Sequence, residues 1–277
     1  ISAKLMRHVD VSDNQIAFVF GGDIWLVAKE GGTAMQITHS PGEESWPRFS
    51  PNGKFIAYTA SYNGNADVFV IPVSGGMATR VTYNSYGDQV VDWHPDGRRI
   101  LFTSSRESGR GAMSKFFLVD KDGGFPEKLD VPYGVLASFN ASGDKMAYIT
   151  KITENYPFKR YQGGLSSDIV IYDLKSNTAE KITDHKGNDG KPAWVGDNVY
   201  FLSDKDANMR LNIWKYNTGN KSFSQLTKFK DFDIGHMSAG SKEIVFENGG
   251  ELYLLDLQTE KYKKVEVNVI SDLSLEM

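Results

Sequence analysis

Cysteine is absent from the 277 residues, which removes disulfide frameworks, thiolate metal sites and cysteine nucleophiles while leaving the redox compartment open. Neither sign of charge is in excess. With 31 basic against 35 acidic side chains, the chain has no electrostatic footprint for a nucleic-acid backbone or an anionic bilayer, so its expected partners are protein or peptide. No apolar run approaches the roughly 20 residues that span a membrane, and Ile1 to Lys4 show no charged leader ahead of an apolar core. No segment reads as a convincing helix, and the Gly-x-Ser-x-Gly elbow of a self-sufficient α/β-type serine hydrolase is missing. A start at Ile1 rather than Met, and an end directly after a strand-like segment, read as a piece cut from a longer protein.

What the chain has is a repeat. An apolar, small or apolar, aromatic triplet recurs as Ile16-Ala17-Phe18, Ile56-Ala57-Tyr58, Ile100-Leu101-Phe102, Met146-Ala147-Tyr148, Val199-Tyr200-Phe201 and Ile244-Val245-Phe246. Each copy precedes an alternating strand, from Asp23, Asp67, Lys115, Asp168, Asn212 and Glu251 in turn, and each unit closes on an apolar residue, usually with threonine after it: Ile37-Thr38, Val81-Thr82, Ile182-Thr183 and Leu226-Thr227. Asn52-Gly53, Asp96-Gly97 and Ser142-Gly143 supply hairpin turns between the first and second strands, and Gly31-Gly32, Gly75-Gly76 and Gly123-Gly124 between the third and fourth.

Four-stranded meanders of about 44 residues, six in number, bury both faces only when arranged radially. The expected fold is therefore an all-β, six-bladed β-propeller of four-stranded antiparallel blades, one domain over 1–277, with blades near 5–38, 39–82, 83–130, 131–183, 184–227 and 228–267. Residues 268–277 are expected to be a tail or the start of a linker. Blades one and six each hold four strand candidates of their own, so the ring is expected to close without strand exchange, by side-chain packing at a seam whose edges are hydrogen-bonded only within their own blade.

Sites for chemistry are sparse. His8, His39, His94, His185 and His236 fall in different blades without helical metal-site spacing and read as turn or strand-end residues. Asp120-Lys121-Asp122-Gly123-Gly124 opens like an EF-hand loop, but Val131 stands where its last glutamate is needed. Trp93, Trp194 and Trp214 read as inter-blade core. No catalytic residue, metal site or cofactor is expected. The exception is Thr150 to Ser167, which carries Tyr156, Phe158, Lys159, Arg160 and Tyr161 in a connection longer than a hairpin needs. With Arg106 and Arg110 in the connection Ser104 to Ser114, these residues form the candidate docking or channel face. Both connections, and Ser203 to Leu211, join second strands to third strands and should leave one face of the disc, around the axial opening.

Ser50-Pro51-Asn52-Gly53-Lys54-Phe55-Ile56-Ala57-Tyr58 and His94-Pro95-Asp96-Gly97-Arg98-Arg99-Ile100-Leu101-Phe102 resemble the repeat of TolB-type, prolyl oligopeptidase-type and tricorn propellers. More specific are Phe158-Lys159-Arg160-Tyr161-Gln162-Gly163-Gly164, Gly42 to Ser50, Ser104 to Arg110, Tyr200 to Asp204 and Phe246 to Tyr253, which are similar to tricorn-type serine peptidases across all six blades. The resemblance implies a non-catalytic propeller of a larger peptidase. Such a domain would gate or guide peptides through its axial channel and dock on the remaining domains of the parent, in a protein that forms homo-oligomers at full length and works in the cytoplasm. Catalysis would belong to domains that do not fit in 277 residues. The alternative location is the periplasm, after removal of a signal peptide; the alternative functions are a free-standing TolB-like interaction propeller and a carbohydrate- or lyase-type propeller enzyme, which the scattered histidines disfavour.

Overall fold

In a computed structural model the described residues are 6–62, 64–109, 113–152, 162–164 and 166–270. They form six antiparallel meanders, each with its strands in chain order, and no α-helix among them. The first strands, Arg7–Val11, Glu44–Phe49, Asp88–Trp93, Leu136–Phe139, Asp189–Val195 and Ile234–Ala239, are the innermost; each touches the next, and the last touches the first, closing a ring around an axis.

The repeated triplets lie on the second strands and are buried on both faces. In one cluster Ala17, Val19, Ile24 and Leu26 of blade one meet Ile56, Tyr58, Phe69 and Ile71 of blade two. A period-two strand can be apolar on both faces only when both are covered, as they are between neighbouring blades. The recurring threonine also has a structural reason. Thr38, Thr82, Thr183 and Thr227 each accept, on Oγ1 at 2.9 Å, the backbone N–H that opens the third strand of the same blade, from Ile24, Val68, Ile169 and Ile213. The hydroxyl satisfies a buried donor beyond the end of the ladder.

Each blade draws its four strands from its own stretch of chain, but the seam departs from expectation. Residues Val267–Val269, expected to be partly tail, form a further strand that pairs in parallel with the outer strand of blade one, Gly32–Gln36. The outer edge of blade one is therefore hydrogen-bonded to the end of the chain, and the Gly32 N–H donates to the Glu266 carbonyl at 2.9 Å. Below it, Val267 and Val269 join a cluster that contains Ile16, Phe18 and Val27 of blade one and Val245, Leu252 and Leu254 of blade six. Lys29 and Glu243 pair across the same seam at 2.7 Å.

The second strands end opposite the starts of the inner strands: Ser104 pairs with Asp88, Ile149 with Leu136 and Ser203 with Asp189. The three long connections thus leave from one face, which the inter-blade connections share. The first-to-second-strand turns form the other.

Candidate functional site: the propeller axis

Five of the six inner strands are irregular. Register shifts fall between Arg7 and Asp10, Ser45 and Arg48, Val90 and Asp92, Gly190 and Ala193, and Ile234 and His236; only Leu136–Phe139 pairs without one. Within three of these bulges a residue other than glycine takes a left-handed backbone: His8 at φ 50°, Trp46 at 55° and Lys191 at 48°. Bulges re-aim side chains, and a positive φ away from glycine is strain that the surroundings must hold in place.

The re-aimed side chains converge. His8 stacks on Trp46 with ring centroids 4.4 Å apart and meets the edge of His236 at 5.1 Å. The Lys191 ammonium and the Arg48 guanidinium lie 5.7 and 5.8 Å from the Trp46 ring centre. Burial, then the nearby charges of Lys191 and Arg48, push His8 down to about 3. Burial and the same cations take His236 down to about 2, so both rings are neutral at physiological pH. The two histidines were expected at separate turns and strand ends; instead the inner strands of blades one and six bring them to the axis.

Below this collar, toward the turn face, runs a hydrogen-bonded belt. Ser238 Oγ donates to Asp10 Oδ1, and the Phe49 N–H to Asp10 Oδ2 at 2.7 Å. Trp93 Nε1 donates to the Arg48 carbonyl at 2.8 Å, and the Trp194 N–H to Ser138 Oγ at 3.0 Å. Arg48 donates to the carbonyls of Val91, Pro47 and Val9 at 3.0, 3.1 and 3.4 Å. Asp92, beside Arg48 and Ser138, is pushed up to about 7, chiefly by burial and against the pull of Arg48.

The axial space is narrow at this belt and wide beyond it. A cavity of about 40 Å³ lies among Trp46, Arg48, Asp92, Ser138 and Lys191. A funnel of about 510 Å³, sharing Asp92, Ser138 and Ala239 with that cavity, opens among the first-to-second-strand turns.

The residues singled out in the sequence fare unevenly. Arg106 is held by its own blade: its guanidinium pairs with the buried Asp88 and lies 5.2 Å from the centres of both Phe102 and Phe117. Arg110, Tyr156, Phe158, Lys159, Arg160 and Tyr161 lie outside the described residues. Trp93 is inter-blade core, as expected, and Trp194 and Trp214, on the first and third strands of blade five, are partly buried and pack against the cluster between blades four and five. The convergence of the axial residues went unnoticed in the sequence, although Trp46-Pro47 and Lys191-Pro192 carried a signal: proline inside a strand marks a bulge or an edge.

Comparison with known proteins agrees with this architecture. A Tricorn protease homolog of Saccharolobus solfataricus is 28% identical over 267 residues, covering 96% of this chain and 25% of that protein. A Sulfurisphaera tokodaii protein named a Tricorn-like protease N-terminal subunit is 29% identical over 174 residues, covering 62% of this chain and 88% of its own length. The crystal structure of the tricorn protease superposes with a TM-score of 0.84 at 24% identity, over 98% of this chain and 27% of that one. The chain thus spans about a quarter of the full-length relatives it matches. No helix among the described residues is long and apolar enough to cross a membrane. The family described as the tricorn protease N-terminal beta propeller domain matches residues 3–261, and the chain belongs to that family.

Proposed function

We propose that this propeller is a non-catalytic part of a tricorn-type serine peptidase that guides peptides along its axis and docks on the catalytic part. The reading treats 1–277 as one domain and places the parent in the cytoplasm as a homo-oligomer. The observation that carries it is the pair of adjoining axial cavities, a funnel and a waist that share Asp92, Ser138 and Ala239, lined by side chains from all six inner strands. An extended peptide could not pass a waist of about 40 Å³ as it stands, so passage requires the inner strands to part. The face from which the long connections leave is the docking face in this reading.

The test is to narrow the waist of the full-length parent with Ala239→Trp. Peptide turnover should fall on the order of tenfold, while titration of the active-site serine by a covalent inhibitor stays unchanged. Unchanged turnover would remove the axis from the peptide's route.

A further inference from the structure

The funnel at the turn face has a volume, about 510 Å³, within the range of pockets that hold small ligands. Its rim carries Asp13, Asn14, Asn52 and Asn140, its wall Phe139 and Trp194, and its floor Asp92 and Ser138. No lysine or arginine lines it among the described residues. The cations of the axis, Arg48 and Lys191, border the waist instead. The axis is therefore polarised, acidic and amide-rich at the turn face and basic further in.

The floor is also unbalanced. Asp10 and Asp92 share one guanidinium, that of Arg48. Asp10 is already held by the Ser238 hydroxyl and the Phe49 N–H. The groups that face Asp92 are Arg48, Asp10, the Ser138 hydroxyl and the N–H of Trp93, the last at 2.8 Å. One carboxyl group is thus left without a counter-charge at the base of an open pocket.

We propose that the funnel binds the primary ammonium group of an extended peptide, with Asp92 as its counter-charge. The ammonium has three donors and no acceptor, and the Asp92 carboxylate and the remaining lone pair of the Ser138 hydroxyl, side by side on the floor, offer it acceptors. The apolar stem behind it lies along Phe139 and Trp194. The assignment rests on the reading that peptides approach this axis, and it adds an orientation: the amino end of the peptide faces the turn side. The ammonium comes either from a chain terminus or from a lysine side chain, and the two are separable.

Because burial holds Asp92 near 7, a bound cation restores the carboxylate and releases a proton. Affinity then rises as pH rises through 7. The ionised fraction grows about 15-fold between pH 5.5 and 7, while a terminal amine with a pKa of about 8 stays protonated.

The experiment is calorimetric titration of the chain with tetra-alanine amide, its N-acetylated form, and an N-acetylated form with one internal lysine, at pH 5.5 and pH 7. The free amine should bind with an affinity that rises about 15-fold, and acetylation should weaken it at least tenfold. Recovery with the lysine peptide means that any ammonium is accepted; no recovery means that the terminus is required. Asp92→Asn, which keeps the shape of the neutral acid, should lose at least tenfold at pH 7 and lose the pH dependence, with the thermal midpoint at pH 5.5 retained. Rim variant Asp13→Asn should lose less. Equal binding of free and acetylated peptides, or wild-type binding by Asp92→Asn, overturns the proposal and leaves guidance along the axis standing. Absence of binding at millimolar peptide overturns the site itself.

Discussion

Substituting Gly31 by alanine isolates what the final strand contributes to closing the ring. A Cβ on Gly31 would lie 2.4 Å from the Glu266 carbonyl oxygen and 3.3 Å from the C and N atoms of that residue, at a backbone φ of +90°. The left-handed conformation alone costs about 1–2 kcal/mol for a residue with a Cβ. The clash adds more, because backbone cannot swing aside as a side-chain tip can. The final strand must retreat, which unmakes the bond from the Gly32 N–H to Glu266, worth about 1 kcal/mol. Retreat also re-exposes part of Val267 and Val269, whose relative exposures are 4% and 0%. With full burial of a valine worth about 1.5–3 kcal/mol, a half loss at both sites is about 2 kcal/mol. The sum is about 4–5 kcal/mol.

Gly22→Ala is the matched control, since its φ is +94° and a Cβ there meets nothing within 4 Å; it should cost only the conformational part. At an unfolding entropy of about 2.1 cal/mol/K per residue, 277 residues convert these losses into falls in Tm of roughly 7–9 °C and 2–3 °C. Hydrogen exchange gives the local reading, and the Gly32 amide should lose its protection in Gly31→Ala alone. Equal Tm shifts in the two variants, with Gly32 still protected, would refute the claim that this strand fastens the seam.

Two further perturbations test buried charge. His185 sits between Asp189 and Asp204, at 3.0 and 2.8 Å; burial disfavours its charge, but the two carboxylates outweigh burial and raise it to about 9. A raised folded pKa gives stability that is fully present below the unfolded value of about 6.5 and lost as pH rises through 9. The wild type should lose roughly 2–3 kcal/mol relative to His185→Asn between pH 6 and pH 10, and parallel denaturation curves for the two proteins would contradict the pairing. Arg106→Ala strands the fully buried Asp88 and should cost about 3–5 kcal/mol in urea denaturation at pH 7. Arg106→Lys, which keeps the charge beside Asp88 but not the planar face over Phe102 and Phe117, should lose less; equal losses in the two variants would mean that the aromatic contacts, not the ion pair, set the cost.

The sequence was most readable where structure is periodic. Triplets such as Ile56-Ala57-Tyr58 repeat because every second strand meets the same environment, covered on both faces by neighbouring blades, and the threonines repeat because four of the third strands open with the same buried N–H. The seam strand repeats nothing. Val267-Asn268-Val269 follows the last blade strand almost directly, and parallel pairing with Gly32–Gln36 needs no turn, so neither spacing nor turn residues announce it. The setting of Arg106 was illegible for a different reason. Sequence shows that a cation lies in a long connection, but not that the connection curls back over Asp88 and two phenylalanine rings. At the axis, proline after Trp46 and Lys191 hinted at bulges, whereas His8 carries no such mark, and its convergence with His236 depends on ring closure bringing blade six against blade one.

The bulges and Arg48 explain one another. A bulge leaves a residue unpaired, with its carbonyl turned out of the ladder, and a carbonyl left dry in the interior costs about 1–3 kcal/mol. The three carbonyls that Arg48 caps belong to Val9, Pro47 and Val91, which are the bulge residues of blades one, two and three. A single guanidinium therefore satisfies the backbone groups that three irregular strands expose, and its planar fork reaches all three where the compact ammonium of lysine would not. The regular inner strand of blade four shows that blade packing alone imposes no such irregularity. The left-handed residues are thus tied to the axis rather than to the fold: they turn His8, Trp46 and Lys191 inward, and the carbonyls displaced with them hold Arg48 across the waist. Any widening of the waist must release that arginine, and releasing it leaves three carbonyls and the two acids beside it to find other partners. The energy of opening is concentrated in one side chain that touches three blades.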